Sequence, residues 1–144
     1  MTRTFIALTA CLLTCSLLLR ATEKPPEEYQ AAMKEIAAAN TALRKHVQEV
    51  EAAGAYPDYN PIEQDAAALK KPFTTALAFW TAKHDEDAVA QLHAALKLIE
   101  DLEIARKEKN YDALMTATAN IGKTCGSCHT AHREKMPDGS YEIK

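Results

Sequence analysis

Near the end of the chain, residues 124–133 read TCGSCHTAHR. Two thiols three positions apart, with an imidazole directly after the second, can do only a few kinds of chemistry. Cys125-x-x-Cys128-His129 is the attachment pattern of c-type haem. The two sulfurs form thioethers with the porphyrin vinyl groups, and the histidine reaches the iron as an axial ligand. On a helix, positions 125, 128 and 129 share one face, so one turn serves both the porphyrin edge and the metal. Three other chemistries use the same residue types. A disulfide between Cys125 and Cys128 would close within one helical turn, where its geometry is strained. A thioredoxin-like redox pair calls for a strand–helix context, and the sequence shows no strand pattern. A zinc clip could take Cys125, Cys128 and His132, although no second ligand pair is found elsewhere. Covalent haem, with one haem c and its iron as cofactor, is the expectation carried forward.

The compartment bears on that choice. Arg3, an apolar run over residues 5–19 and then Arg20-Ala21 have the layout of a secretory signal. The run falls short of the ~20 residues of a spanning helix. Residues 1–21 are therefore expected to be a signal peptide and 22–144 the mature domain, exported to the periplasm and free of the membrane after cleavage. An uncleaved anchor is the other fate of such a segment. A lipid on Cys11 is disfavoured, because the residues that follow it stay apolar. Cleavage removes Arg3 and Arg20 but no acid, leaving 15 basic against 20 acidic side chains, a net charge of −5 in place of −3. That balance argues against a nucleic-acid partner. Cleavage also removes Cys11 and Cys15, so Cys125 and Cys128 become the only cysteines of an exported protein.

The elements that must position this motif are helical. The chain is 47% hydrophobic but only 6% aromatic, with four glycines and much alanine, which favours packed helices over sheets. A first helix is expected over residues 26–53, with Pro26 at its first position, Glu27 and Glu28 near its positive end, and Gly54 as its stop. Tyr29, Met33, Ile36, Leu43, Val47 and Val50 form its apolar stripe. Asn60-Pro61-Ile62-Glu63 reads as a cap, a first-position proline and a capping glutamate. The second helix then carries Leu69, Phe73, Ala76, Leu77 and Trp80, with a kink expected at Pro72. Asp85-Glu86-Asp87 opens the third helix, whose apolar positions are Val89, Leu92, Leu96, Ile99, Leu102 and Ile104, and Arg106, Lys107 and Lys109 close it. Asn110 caps the fourth, which runs through Tyr111, Leu114, Ala117 and Ile121 into the motif and stops at the turn Met136-Pro137-Asp138-Gly139. Four long helices with short connections predict an all-α, antiparallel four-helix bundle bearing haem on its C-terminal helix. No catalytic Ser/His/Asp set, phosphate loop or acid pair stands out, so an enzyme is not expected.

At this point the sequence resembles the class II cytochromes c, the cytochrome c-prime family, and more closely its low-spin, six-coordinate members. The resemblance spans residues 26–136 and is densest from Asn110 through Cys125-Gly-Ser-Cys128-His129. The late position of the motif is its specific element, since class I cytochromes c carry it near the N-terminus. The resemblance implies an exported bundle with His129 as proximal iron ligand. It places Met33, three residues after Gln30, at the family's distal position. With methionine as sixth ligand, such proteins pass single electrons to redox partner proteins. Members with a non-ligating distal residue bind nitric oxide and carbon monoxide instead, and that is the alternative function. The alternative of another class is a helical binding module with a disulfide or metal clip. Arg133 matches the family arginine at the haem edge, where a propionate lies. Tyr29 stands where the family often has an arginine, and His132 where it usually has an aromatic residue. Many members dimerise through their first two helices, so a homodimer is within the implied range. Met115 and Met136 are weaker ligand candidates, and His46, His84 and His93 read as surface or helix-face residues. Trp80 and Phe79 are candidates for the haem crevice, and Lys123, Arg133 and Lys135 for a basic rim.

Overall fold

A computed structural model describes residues 22–54 and 56–144. The expected signal peptide lies outside the described residues. Four helices dominate: α1 (Glu27–Ala52), α2 (Asn60–Ala82), α3 (Glu86–Lys107) and α4 (Tyr111–His132). They pack in sequence order, α1 on α2, α2 on α3 and α3 on α4, while α1 and α4 meet over much less surface. Side-chain ties between neighbours run in opposite directions along the chain, as an antiparallel bundle requires. His46 meets Asp65, Lys70 meets Glu103, and Arg106 meets Glu63. The chain is an all-α four-helix bundle, as its periodicity predicts.

Helical spacing explains which residues are inside. Ile36, Leu43, Val47 and Val50 of α1 are buried with Ile62, Leu69, Phe73 and Trp80 of α2. In α3 the core positions mix small and large side chains: Ala88, Leu92, Ala95, Ile99, Leu102 and Ala105. Ile104, expected on that stripe, is 51% exposed. At 100° per residue, two positions after Leu102, it falls on the face opposite the stripe. Pro72 is buried inside α2, which continues across it as one helix. Asn60 proves to be the first helical residue of α2, after Tyr59 at the cap position, and Pro26 precedes α1 as its cap; neither α1 nor α2 has a side-chain cap bond.

The two tight connections share a device that the sequence hides. Asp85 and Asn110 cap α3 and α4 by accepting bonds from Ala88 N and Ala113 N. The residue before each cap, His84 or Lys109, is left-handed at φ 56° or 53°. Around each, two backbone bonds close the preceding helix: Asp85 N to Trp80 O with His84 N to Thr81 O, and Asn110 N to Ala105 O with Lys109 N to Arg106 O. This is the Schellman arrangement, in which glycine is usual because a Cβ is disfavoured at positive φ. Replacing His84 or Lys109 by glycine should therefore stabilise the protein by about 0.5–1 kcal/mol each, read from denaturant midpoints.

The fourth helix ends at His132, three residues earlier than expected, because the tail turns into a hairpin. Strand β1 (Arg133–Lys135) pairs antiparallel with β2 (Tyr141–Ile143). The turn predicted at Met136-Pro137-Asp138-Gly139 joins them, with Gly139 N bonded to Met136 O and φ +87° at the glycine. Strands of three residues are too short to show an alternation, so no periodicity announces them. Glu23 pairs in turn with Ile143 through both backbone bonds (2.9 and 2.8 Å), and Lys144 N reaches His132 O. The segment before α1 is thus tied to the end of α4.

Candidate cofactor cleft

Where α1 and α4 fail to close on each other, a cleft opens at one end of the bundle. It encloses ≈ 690 Å³ of empty space, the open solvent at its mouth included. The last turns of α4 contribute Thr124, Cys125, Cys128 and His129; α1 contributes Tyr29, Met33, Ile36, Ala37 and Asn40. Phe73 of α2 and Gln91, Leu92 and Ala95 of α3 complete the wall. The cause is visible along α4. Leu114, Ala117, Thr118 and Ile121 are buried, yet between Ile121 and His132 no α4 residue is buried. The helix keeps its register there, but its inward face meets the cleft instead of a neighbour. In α1, likewise, Tyr29 and Met33 of the expected stripe are only half-buried.

The structure thus brings together four of the five residues the sequence nominates. Cys125, Cys128 and His129 face the cleft from α4, and Met33 faces it from α1. The fifth, Arg133, lies outside the wall. It opens β1, and its guanidinium carbon stands 3.9 Å over the Tyr141 ring. Its charge is still felt inside. Burial first, and Arg133 second, hold His129 below its ordinary pKa. At neutral pH the imidazole is therefore uncharged, the form in which a histidine binds a metal. Met136 is half-buried beyond β1 and Met115 is on the surface, so neither lines the cleft. His84 and His93 are exposed, and His46 is engaged with Asp65 at 2.6 Å.

Both cysteines are free thiols. Burial raises both; Cys128 is pushed up to about 11, by burial first and then by Cys125, Asp87 and Asp85. A thiol two units above its ordinary value holds about a hundredfold less thiolate at pH 8. In haem-free protein, alkylation of Cys128 should accordingly be slow at pH 8 and rise through pH 11. A midpoint near pH 9 in the pH–rate profile would contradict the burial described here. The same shift has a sign for stability. The folded state holds the proton more tightly, so the contribution is complete below pH 9 and is lost as pH rises through 11.

His132 does not join the cysteines, as a zinc clip would need. It is 8% exposed, with Nε2 2.8 Å from Asp87 Oδ2 and Nδ1 3.4 Å from Asp85 Oδ2. Its ring lies 5.0 Å from that of Trp80, centroid to centroid. It therefore fastens the last turn of α4 to the start of α3. Trp80, 2% exposed, and half-buried Phe79 stand behind the cleft and contact its lining through Tyr29. Lys123 and Lys135 are exposed.

Sequence reasoning missed Asn40 and Gln91. Asn40 Oδ1 and Gln91 Oε1 are buried without a hydrogen-bond partner, and both residues line the cleft. A signal existed for Asn40, which falls between Ile36 and Leu43 on an otherwise apolar stripe. Buried orphan acceptors are costly and usually mark a place where something else is meant to bind. Two thiols, an uncharged imidazole, a thioether and an apolar wall with unspent polar atoms form a donor set that fits an iron porphyrin better than a bare ion. Among the described residues, no group of three or more His, Cys, Asp or Glu is placed to hold a metal alone.

No family model matches the chain, and no curated protein matches it. A solved structure, the nitric oxide complex of a mutant cytochrome c prime from Alcaligenes xylosoxidans, is similar over 83% of this chain and 99% of that one. The identity is 19% and the TM-score 0.47.

Proposed function

We propose that this protein is an exported monohaem c-type cytochrome that carries single electrons, with His129 and Met33 as the axial ligands. The observation that supports it is the meeting of Met33 with Cys125, Cys128 and His129 across one cleft, from helices far apart in sequence. Cys125 and Cys128 would hold haem c through thioethers, and the group supplies a one-electron iron couple when bound. His129 presents an unprotonated nitrogen, kept so by burial and by Arg133. Met33 offers a soft thioether from the facing helix; a His/Met pair favours the reduced state and raises the potential. Ile36, Phe73 and Leu92 keep water from the wall. No helix among the described residues is long and apolar enough to cross a membrane, which suits a periplasmic carrier that meets redox partner proteins by diffusion.

Mass and spin state of the exported protein test this reading. The denatured polypeptide should retain the mass of one haem, and the folded ferric form should be low-spin. A second reading uses the same wall: with Met33 off the iron, the apolar surround would admit nitric oxide or carbon monoxide. High-spin ferric iron that binds carbon monoxide freely on reduction would select that reading and sink the first.

A further inference from the structure

Gln91 is held by one end only, and Asp87 is what holds it. Asp87 Oδ2 lies 2.7 Å from Gln91 Nε2 and 2.8 Å from His132 Nε2. These bonds, that of His132 first, keep the Asp87 carboxyl below its ordinary range. At neutral pH it is ionised and can only accept, so the nitrogen end of the Gln91 amide must face it. The oxygen end is thereby fixed as well. Gln91 Oε1 is buried without a hydrogen-bond partner, and Gln91 lines the cleft beside Leu92 and Ala95 of its own helix and Ile36 and Phe73 of the others. None of those side chains has a donor to offer. Asn40 differs: its oxygen is orphaned too, but its nitrogen has no partner among the described residues, so nothing fixes which end of that amide turns inward. An amide is a dipole whose negative pole is the oxygen. In Gln91 the positive pole is engaged with a carboxylate, while the negative pole meets neither a donor nor water. Inside an apolar wall such a pole is screened little.

We propose that Gln91 tunes the iron of the group held in the cleft, its unpaired oxygen favouring the ferric state and lowering the midpoint potential. The inference rests on the haem reading. Ferric haem carries one positive charge more than ferrous haem, and a negative pole in the wall stabilises that charge. The effect opposes the upward push of a His/Met pair. Redox titration of the haem-loaded protein, followed by its optical spectrum, tests it. Gln91→Met keeps the length of the side chain and removes the amide, so the midpoint should rise. At the wild-type midpoint, where half the haem is ferric, this variant should be mostly ferrous. Gln91→Leu, a second apolar replacement, should move the same way. Thr118→Val removes another buried oxygen without a partner. Thr118 lies outside the cleft wall, roughly 16 Å along α4 from His129, so its variant should keep the wild-type midpoint. The ferric spin state should be the same in all four proteins. A merely structural role for Gln91 predicts the opposite sign, because a loosened wall admits water, which stabilises the ferric charge and lowers the midpoint. An unchanged or lowered midpoint in Gln91→Met overturns the proposal. So does an equal rise in Thr118→Val, or a changed spin state in Gln91→Met, which would make the effect one of ligation. Wild-type protein that denatures without covalent haem would sink the haem reading itself, whereas attached haem with an unmoved midpoint sinks this inference alone.

Discussion

Met33→Ala should convert a low-spin cytochrome into one that binds carbon monoxide when reduced. If the Met33 thioether fills the sixth position, as proposed, alanine cannot reach it and leaves a gap in the wall. The midpoint potential should fall, by a sizeable part of the roughly 0.8 V over which axial ligands set haem potentials. Stability should fall less. Met33 is half-buried, so truncation costs toward the lower end of the roughly 2–5 kcal/mol seen for fully buried methionine-to-alanine changes. Redox titration and carbon monoxide difference spectra read the first two effects, and denaturant unfolding reads the third. If the variant and the wild type share one spin state and one potential, Met33 packs the wall and does not ligate.

Changing both cysteines, Cys125→Ser with Cys128→Ser, should abolish covalent haem altogether. The denatured mass would then be that of the polypeptide alone, whereas either single change should leave haem attached through the remaining sulfur. A disulfide or metal clip predicts no haem mass in any of the four proteins. The double variant should also reveal what the cofactor does for the fold. Residues 122–131 of α4 contribute no buried side chain, while Leu114, Ala117, Thr118 and Ile121 anchor the first half of the helix. Local opening is easiest where few apolar contacts must break. In the haem-free protein, amides of the second half of α4 should exchange much faster than those of the first half. Covalent haem should close most of that difference by filling the cleft. Equal exchange in the two halves without haem would show that the bundle holds α4 without help from the cleft.

How much of this was legible beforehand differs by residue. Leu43, Leu69, Ile99 and Ile121 announce themselves, because a buried helix face repeats every three or four positions and short connections force neighbours to be antiparallel. Asp85 and Asn110 are readable as caps because their side chains act within three residues of themselves. His84 and Lys109 are not readable, since nothing in either residue type marks a left-handed conformation; two backbone bonds impose it from the helix behind. Ile104 was misplaced because its apolar type outweighed its spacing; two positions after Leu102 it turns to the opposite face of the helix.

The candidate site divides along the same line. Cys125, Cys128 and His129 form one local unit, and spacing alone gives both their shared face and their chemistry. Arg133 was expected at the haem edge, and its stacking on Tyr141 comes from the hairpin, which the local sequence does not announce. His132 looked like an aromatic substitute or a spare ligand, and its partners Asp85 and Asp87 lie more than forty residues away. The Trp80–Tyr29 bond and the orphaned oxygens of Asn40 and Gln91 likewise depend on side chains from different helices. The helices, the bundle and the Cys-x-x-Cys-His motif could be read from the residues alone, because each follows from residues within one or two turns of each other. It took the packed helices to bring Met33 into one cleft with His129, to leave the Tyr29 hydroxyl hydrogen without an acceptor, and to fasten the end of α4 to α3 and to the segment before α1. Those outcomes depend on which helix faces meet, and no local spacing encodes that.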